Sequence, residues 1–325
     1  MDRLQKYIQK IDITPKNTYI KKIIRYAIGN NNIAGQVGGL KISDFDSLLD
    51  FLRKRYTEIN NNTEKKYFVI LYGPPASGKS IARKIACHAI KEQYGEIISP
   101  HQIFETFVDT SIDEITYDVE VKTDNGYKKV SELLMENYNN FIKDIPEKDK
   151  LSHIKNNILD ISGKSFNIYK SNRPDYVSEL LLYFSVFLNR NIFMETAGTD
   201  IQYVNKIISS ITWYGYKPIV IYPFINDVNI LYDRSLSRGI KEGRFVTCNL
   251  LSSLIKQCQE NYHLIKKTLV DFNNFFALQY NAQFNSDLYN ELDQFNFDNF
   301  DKVDIIDKLY HYTSGQLKIN NICKN

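Results

Sequence analysis

The chain has 325 residues, 43% of them hydrophobic and 24% charged, with a formal net charge of +3. That length holds one large core or a core with an appended subdomain, and the composition suits a soluble globular protein, expected in the cytoplasm. So small a charge argues against nucleic acid as a partner, no apolar run is long enough to cross a bilayer, and Met1–Lys6 leads into no secretory segment.

Residues 1–65 read as a largely helical N-terminal extension. Gly35, Gly38 and Gly39 suggest a turn, and Ser43 can cap a helix through Phe45, Leu48, Leu49, Phe51 and Leu52, ending at the solvated Arg53-Lys54-Arg55. After the loop Asn60–Thr63, the apolar run Tyr67–Tyr72 predicts a core strand. Directly behind it stands Gly73-Pro74-Pro75-Ala76-Ser77-Gly78-Lys79-Ser80, a match to G-x-x-x-x-G-K-[ST]. Helical apolar spacing resumes at Ile81, so the nucleotide-binding run is read as Gly73 through Ile81. Glycines let successive N–H groups turn inward as an anion nest, and the following helix aims its positive end at the same phosphates. Lys79 is expected to reach the β- and γ-phosphates, and the Ser80 hydroxyl to ligate Mg²⁺. A second Gly-Lys-Ser, at 163–165, has Ile158 where the first glycine should be, and is read as surface.

Further along, Ile103–Val108 predicts a strand ending at Asp109, and the alternating Thr116–Lys122 and Tyr127–Val130 flank a turn at Asp124-Asn125-Gly126, a hairpin signal. Charged helical sequence follows to about 165, so roughly 116–170 reads as an insertion in a core spanning 66–284. Pro174 can open a helix running to Leu188, and Asn191–Met194 predicts a short buried strand ending at Glu195-Thr196. A helix through Val204, Ile207, Ile208 and Ile211 leads to a strand over Pro218–Pro223; the tail after about 285 is acidic and aromatic. Strands alternating with helices imply an α/β, three-layer P-loop fold with a mostly parallel sheet. Four cysteines, Cys87, Cys248, Cys258 and Cys323, lie far apart, so reduced thiols are expected rather than a zinc site.

Ligands of such sheets sit beyond the carboxyl ends of the strands, and acids stand there: Asp109, then Asp113-Glu114, and Glu195. Phosphoryl transfer to a hydroxyl needs a carboxylate near that hydroxyl and cations around the moving charge. Arg234 and Arg238, one helical turn apart, and Arg244 beyond Gly243 are the candidate cations.

Taken in order, Gly73–Ser80, Asp113-Glu114-Ile115, Phe193-Met194-Glu195-Thr196-Ala197-Gly198, and Arg234-Ser235-Leu236-Ser237-Arg238 with Gly243-Arg244-Phe245-Val246 resemble the zeta toxin family of P-loop kinases. The resemblance implies transfer of phosphate from ATP or GTP, with Mg²⁺, to a sugar nucleotide such as UDP-N-acetylglucosamine. It further implies that Asp113 is the base, with Asp109 the competing candidate, and that Glu195 and Thr196 contact the acceptor. Arg234 or Arg238, with Arg244, would hold ATP phosphates. Tyr280-Asn281-Ala282 only faintly echoes a late element of that family. Other readings are a nucleotide or polynucleotide kinase, and a nucleotide-binding regulator whose flanking segments hold a protein partner. A GTPase is excluded: Asp160-Ile161-Ser162-Gly163 gives D-x-x-G, but Val121-Lys122-Thr123-Asp124 lacks the asparagine of N-K-x-D and precedes it. A motor-type ATPase expects paired acids where this chain has Glu195 alone.

Overall fold

The computed structural model describes residues 35–37, 40–41, 65–113, 116, 119–172, 178–179, 181–182, 185–186, 189–270 and 276–282. The first elements are β1 (Gly35–Val37), β2 (Leu40–Lys41), β3 (Lys66–Tyr72), α1 (Lys79–Tyr94), α2 (Pro100–Glu105) and β4 (Phe107–Asp109). Then come β5 (Val119–Thr123), β6 (Gly126–Lys129), α3 (Val130–Ile142), α4 (Lys150–Asn156) and α5 (Ile158–Asn172). The last are β7 (Asn191–Thr196), α6 (Ile201–Trp213), β8 (Tyr216–Phe224), α7 (Val228–Glu242), α8 (Cys248–Val270) and β9 (Phe276–Asn281). The chain divides into two compact units, one made of 60–108, 189–237 and 246–325, the other of 1–59, 109–188 and 238–245.

The first unit is built on a five-stranded sheet ordered β4-β7-β3-β8-β9. β3 runs parallel to both β7 and β8, and β8 parallel to β9. The side chains explain why β3 is central. Tyr67, Val69 and Leu71 belong to the apolar cluster that includes Ile81, Ala82 and Ile85 of α1, while Phe68, Ile70 and Tyr72, on the opposite pleat, are fully buried as well. A strand covered on both faces must be apolar throughout, which is the run seen in the sequence. At the foot of the sheet Asn191 pins the register: its Oδ1 accepts from Tyr67 N and its Nδ2 donates to Thr106 Oγ1. The fold is α/β, with a mostly parallel sheet flanked by helices.

Two expectations for this unit change. Ile103–Glu105 are helical, because Ser99 and Gln102 form a reciprocal capping box and Pro100 occupies the first turn, so the strand shrinks to Phe107–Asp109. β9 is an added strand: Phe276–Asn281 carries little alternation, and its pairing with β8 decides its state.

The second unit holds an antiparallel sheet ordered β2-β1-β5-β6. The β5–β6 hairpin forms as expected, with Thr123 facing Gly126. Gly35–Val37 and Leu40–Lys41, in the N-terminal stretch read as largely helical with a turn at the glycines, are strands, and β1 pairs with β5. In α3, Val130, Leu134, Tyr138 and Ile142 form one buried face. The decoy Gly163-Lys164-Ser165 lies within α5; Gly163 and Lys164 are exposed, but Ser165 is buried, donating from its hydroxyl to Ser162 O. The helix expected from Ser43 to Leu52, the triplet Arg53–Arg55, the pair Glu114-Ile115, the opening at Pro174 and the tail after 282 lie outside the described residues, while 178–179, 181–182 and 185–186 of the helix expected to run to Leu188 are helical.

Cys87 and Cys258 are free and buried. Among the described residues no helix is long and apolar enough to cross a membrane.

Candidate nucleotide site

The loop Gly73–Gly78 leaves the carboxyl end of β3 and enters α1 directly. Its backbone alternates hand, with φ of 143° at Gly73, 63° at Ala76 and 98° at Gly78. Residues of positive and negative φ in succession curl the chain into a concave ring of N–H groups, the form that receives anions. Gly73 is fixed by sterics too, since a Cβ there would lie 2.9 Å from Pro223 O. Ala76 carries a side chain in the left-handed region, a strain of roughly 1–2 kcal/mol placed inside the loop. The first turn of α1 contains no acidic residue, so nothing there offsets the positive end of the helix.

Lys79 folds back over this ring. Its Nζ donates to Gly73 O at 3.1 Å and to Pro74 O at 2.8 Å. Ser77 Oγ is buried with no hydrogen-bond partner, an orphaned polar atom within the loop, and Ser80 is exposed. Both suit an incoming group rich in acceptor oxygens.

β7 brings the next residues alongside. Glu195 pairs in register with Leu71, and Thr196 O accepts from Gly73 N at 3.0 Å, tying the end of β7 to the start of the loop. Glu195 Oε1 lies 2.8 Å from Arg83 Nη1, and Oε2 lies 4.0 Å from Lys79 Nζ. At that separation an effective dielectric of ~20 makes the carboxylate–ammonium attraction about 4 kcal/mol, so Glu195 is a strong electrostatic neighbour of the loop lysine. Thr196 Oγ1 accepts from Gly198 N, shaping the turn that follows. Arg234 Nη1 donates to Ala282 O at 3.2 Å, and Ala282 Cβ stands 3.9 Å from where a Cβ on Gly78 would be. Ala282, just beyond β9, therefore anchors Arg234 beside the loop, a link that the faint motif at 280–282 did not reveal.

The second unit gathers the remaining candidates differently. Asp113 Oδ2 accepts from Arg238 Nη2 at 2.6 Å, and its Oδ1 accepts from Arg244 Nη1. Arg238 Nε also donates to Glu242 at 2.7 Å, and the Arg244 guanidinium lies 4.7 Å from the centre of the Tyr169 ring. Gly243 makes this possible. Its φ is 73°, and a Cβ there would stand 2.8 Å from Met135 N and closer still to the Leu134 carbonyl, so only glycine lets the chain lie on α3 and deliver Arg244. Burial alone would raise the Asp113 pKa, but Arg244 and Arg238 outweigh it and hold the carboxyl well below the ordinary carboxylate range. Both arginines are in turn pushed further up by Asp113 against the effect of burial. Asp109, at the end of β4, accepts from Ser111 N at 2.9 Å through Oδ1.

The structure thus brings together Gly73–Ser80, Glu195, Thr196 and Arg234 in one unit, and Asp113, Arg238 and Arg244 in the other. Arg83 was passed over in the sequence as one more helix residue; its spacing of one turn from Lys79 was the signal. Among the described residues no cluster of three His, Cys, Asp or Glu side chains could hold a metal ion.

No family model matches the chain. It is 48% identical over 299 residues to a protein of Acanthamoeba polyphaga mimivirus named uncharacterized protein L872, an alignment spanning 91% of this chain and 85% of the viral one. The chain belongs to the family of that viral protein. A solved structure from the PezAT chromosomal toxin–antitoxin system of Streptococcus pneumoniae superposes at a TM-score of 0.43 with 13% identity, over 79% of this chain and 89% of the other.

Proposed function

We propose that the protein is a Mg²⁺-dependent phosphotransferase that moves the γ-phosphoryl group of ATP or GTP to a hydroxyl of a small molecule, a sugar nucleotide being the first candidate. The carrying observation is the phosphate loop, with alternating backbone hand ahead of a helix N-terminus and Lys79 folded over it. The orphaned Ser77 hydroxyl and the exposed Ser80 fit the oxygens and ion that such a ligand brings. In this reading Lys79 moves from Gly73 O and Pro74 O to phosphate, Ser80 takes one position on Mg²⁺, and Arg234 adds positive charge. Mg²⁺, arriving with the nucleotide, would supply neutralisation of charge on the transferred group. Glu195 and Thr196 are assigned to the acceptor, and Asp113 or Asp109 to its proton. Arg238 and Arg244 are assigned to phosphate once released from Asp113.

One observation favours a second reading, a nucleotide-binding protein without turnover. A carboxylate held by two guanidiniums is a weak proton acceptor, since efficient general bases titrate near the working pH. Incubation of the full chain with Mg²⁺, γ-labelled ATP and a panel of sugar nucleotides, nucleosides and RNA ends separates the two. Label in one acceptor supports transfer, lost in Asp113→Asn or Asp109→Asn according to which is the base. Tight ATP binding with no labelled product supports the second reading, and no ATP binding at all refutes both.

A further inference from the structure

Resting on the phosphate-loop reading, we infer that Arg83 is a positioning residue of the nucleotide site: it holds the Glu195 carboxylate so that it does not close on the Lys79 ammonium. The two distances carry the argument. Glu195 Oε1 is ion-paired with Arg83 Nη1 at 2.8 Å, whereas Oε2 stands 4.0 Å from Lys79 Nζ, beyond hydrogen-bond reach. Arg83 follows Lys79 by one turn of α1, so both cations project from the same side of that helix.

All three side chains are largely out of solvent, with exposures of 8% for Arg83, 15% for Glu195 and 10% for Lys79. A charge so placed is retained only where an opposite charge meets it. The backbone keeps the carboxylate from retreating, because β7 is paired to β3 at Leu71 and Glu195, and Thr196 O holds Gly73 N. Which cation the carboxylate binds therefore decides how much positive charge the loop presents. Arg83 suits the task by its planar fork, which fixes a carboxylate oxygen in direction as well as distance, as an ammonium does not. Without Arg83, a shift of about 1 Å would bring Glu195 into contact with Lys79 and neutralise the lysine that a triphosphate needs.

The test is a set of Mg·ATP dissociation constants measured by calorimetry on the full chain. Arg83→Gln should weaken binding about tenfold or more, and adding Glu195→Gln should restore it to within about threefold of Glu195→Gln alone, because the carboxylate that captures Lys79 is gone. Binding by Arg83→Gln equal to the wild type overturns the inference. So does a double variant as weak as Arg83→Gln, which would mean that Arg83 grips phosphate itself or merely supports the fold. Should Arg83→Gln fail to fold, Arg83→Lys, which keeps a charge for Glu195 but not the planar fork, takes its place, and binding equal to the wild type there overturns the inference. These outcomes stand apart from failure of the underlying reading, which would appear as wild-type protein that binds no nucleotide, or binds equally after Lys79→Ala.

Discussion

The glycine-rich loop and the Asp113 cluster arrange the same residue types differently. At the loop, Lys79 and Arg83 share Glu195, and the N-terminus of α1 adds further positive character. In the second unit, Arg238 and Arg244 are matched by Asp113 and Glu242. One pair of cations shares a single carboxylate; the other is met by two. The difference teaches that residues of one type, spaced alike along a chain, meet different charges once the chain is folded.

The sharpest break in that contrast is Lys79→Ala. It should weaken Mg·ATP binding by about 100-fold or more while leaving thermal stability close to wild type, read by calorimetry and by unfolding. Gly243→Ala should act in the other region and on stability, since the new Cβ must displace the backbone of α3. A loss of about 2–3 kcal/mol in denaturant unfolding is expected, and an unchanged midpoint would show that Gly243 does not govern the placing of Arg244.

Asp113→Asn should cost about 2 kcal/mol by leaving half-buried guanidiniums less well paired, and should alter the pH profile. A folded-state pKa held below the ordinary value of about 3.9 stabilises the protein above that pH and loses this contribution as the pH falls further. The wild type should therefore lose stability below about pH 4 more steeply than Asp113→Asn, and parallel acid limbs would rule the clamp out. The smallest effect belongs to Ala76→Gly. Relief of a left-handed alanine, set against greater freedom of the unfolded chain, should change stability by less than about 1 kcal/mol and leave ATP affinity within about twofold.

Much of the first unit was legible because its signals are local. Tyr67–Tyr72 is a buried parallel strand, and an unbroken apolar run admits few other fates. Gly73–Ser80 is contiguous, so loop geometry, helix start and lysine arrive together. The helix at Pro100–Glu105 was also written locally, in Ser99, Pro100 and Gln102, but the apolar Ile103-Phe104 masked it. β9 could not be read in the same way, since Phe276–Asn281 becomes a strand through its partner β8.

By itself the sequence determined where a glycine-rich loop would leave a strand and enter a helix, because backbone hand, helix start and the reach of one lysine are set within eight consecutive residues. Only the tertiary structure decided which charges meet. Asp113 lies 125 residues before Arg238 and 131 before Arg244, and Arg83 finds its partner on a strand of another segment. Charges act through space over a few ångströms, and that distance is set by folding rather than by order along the chain.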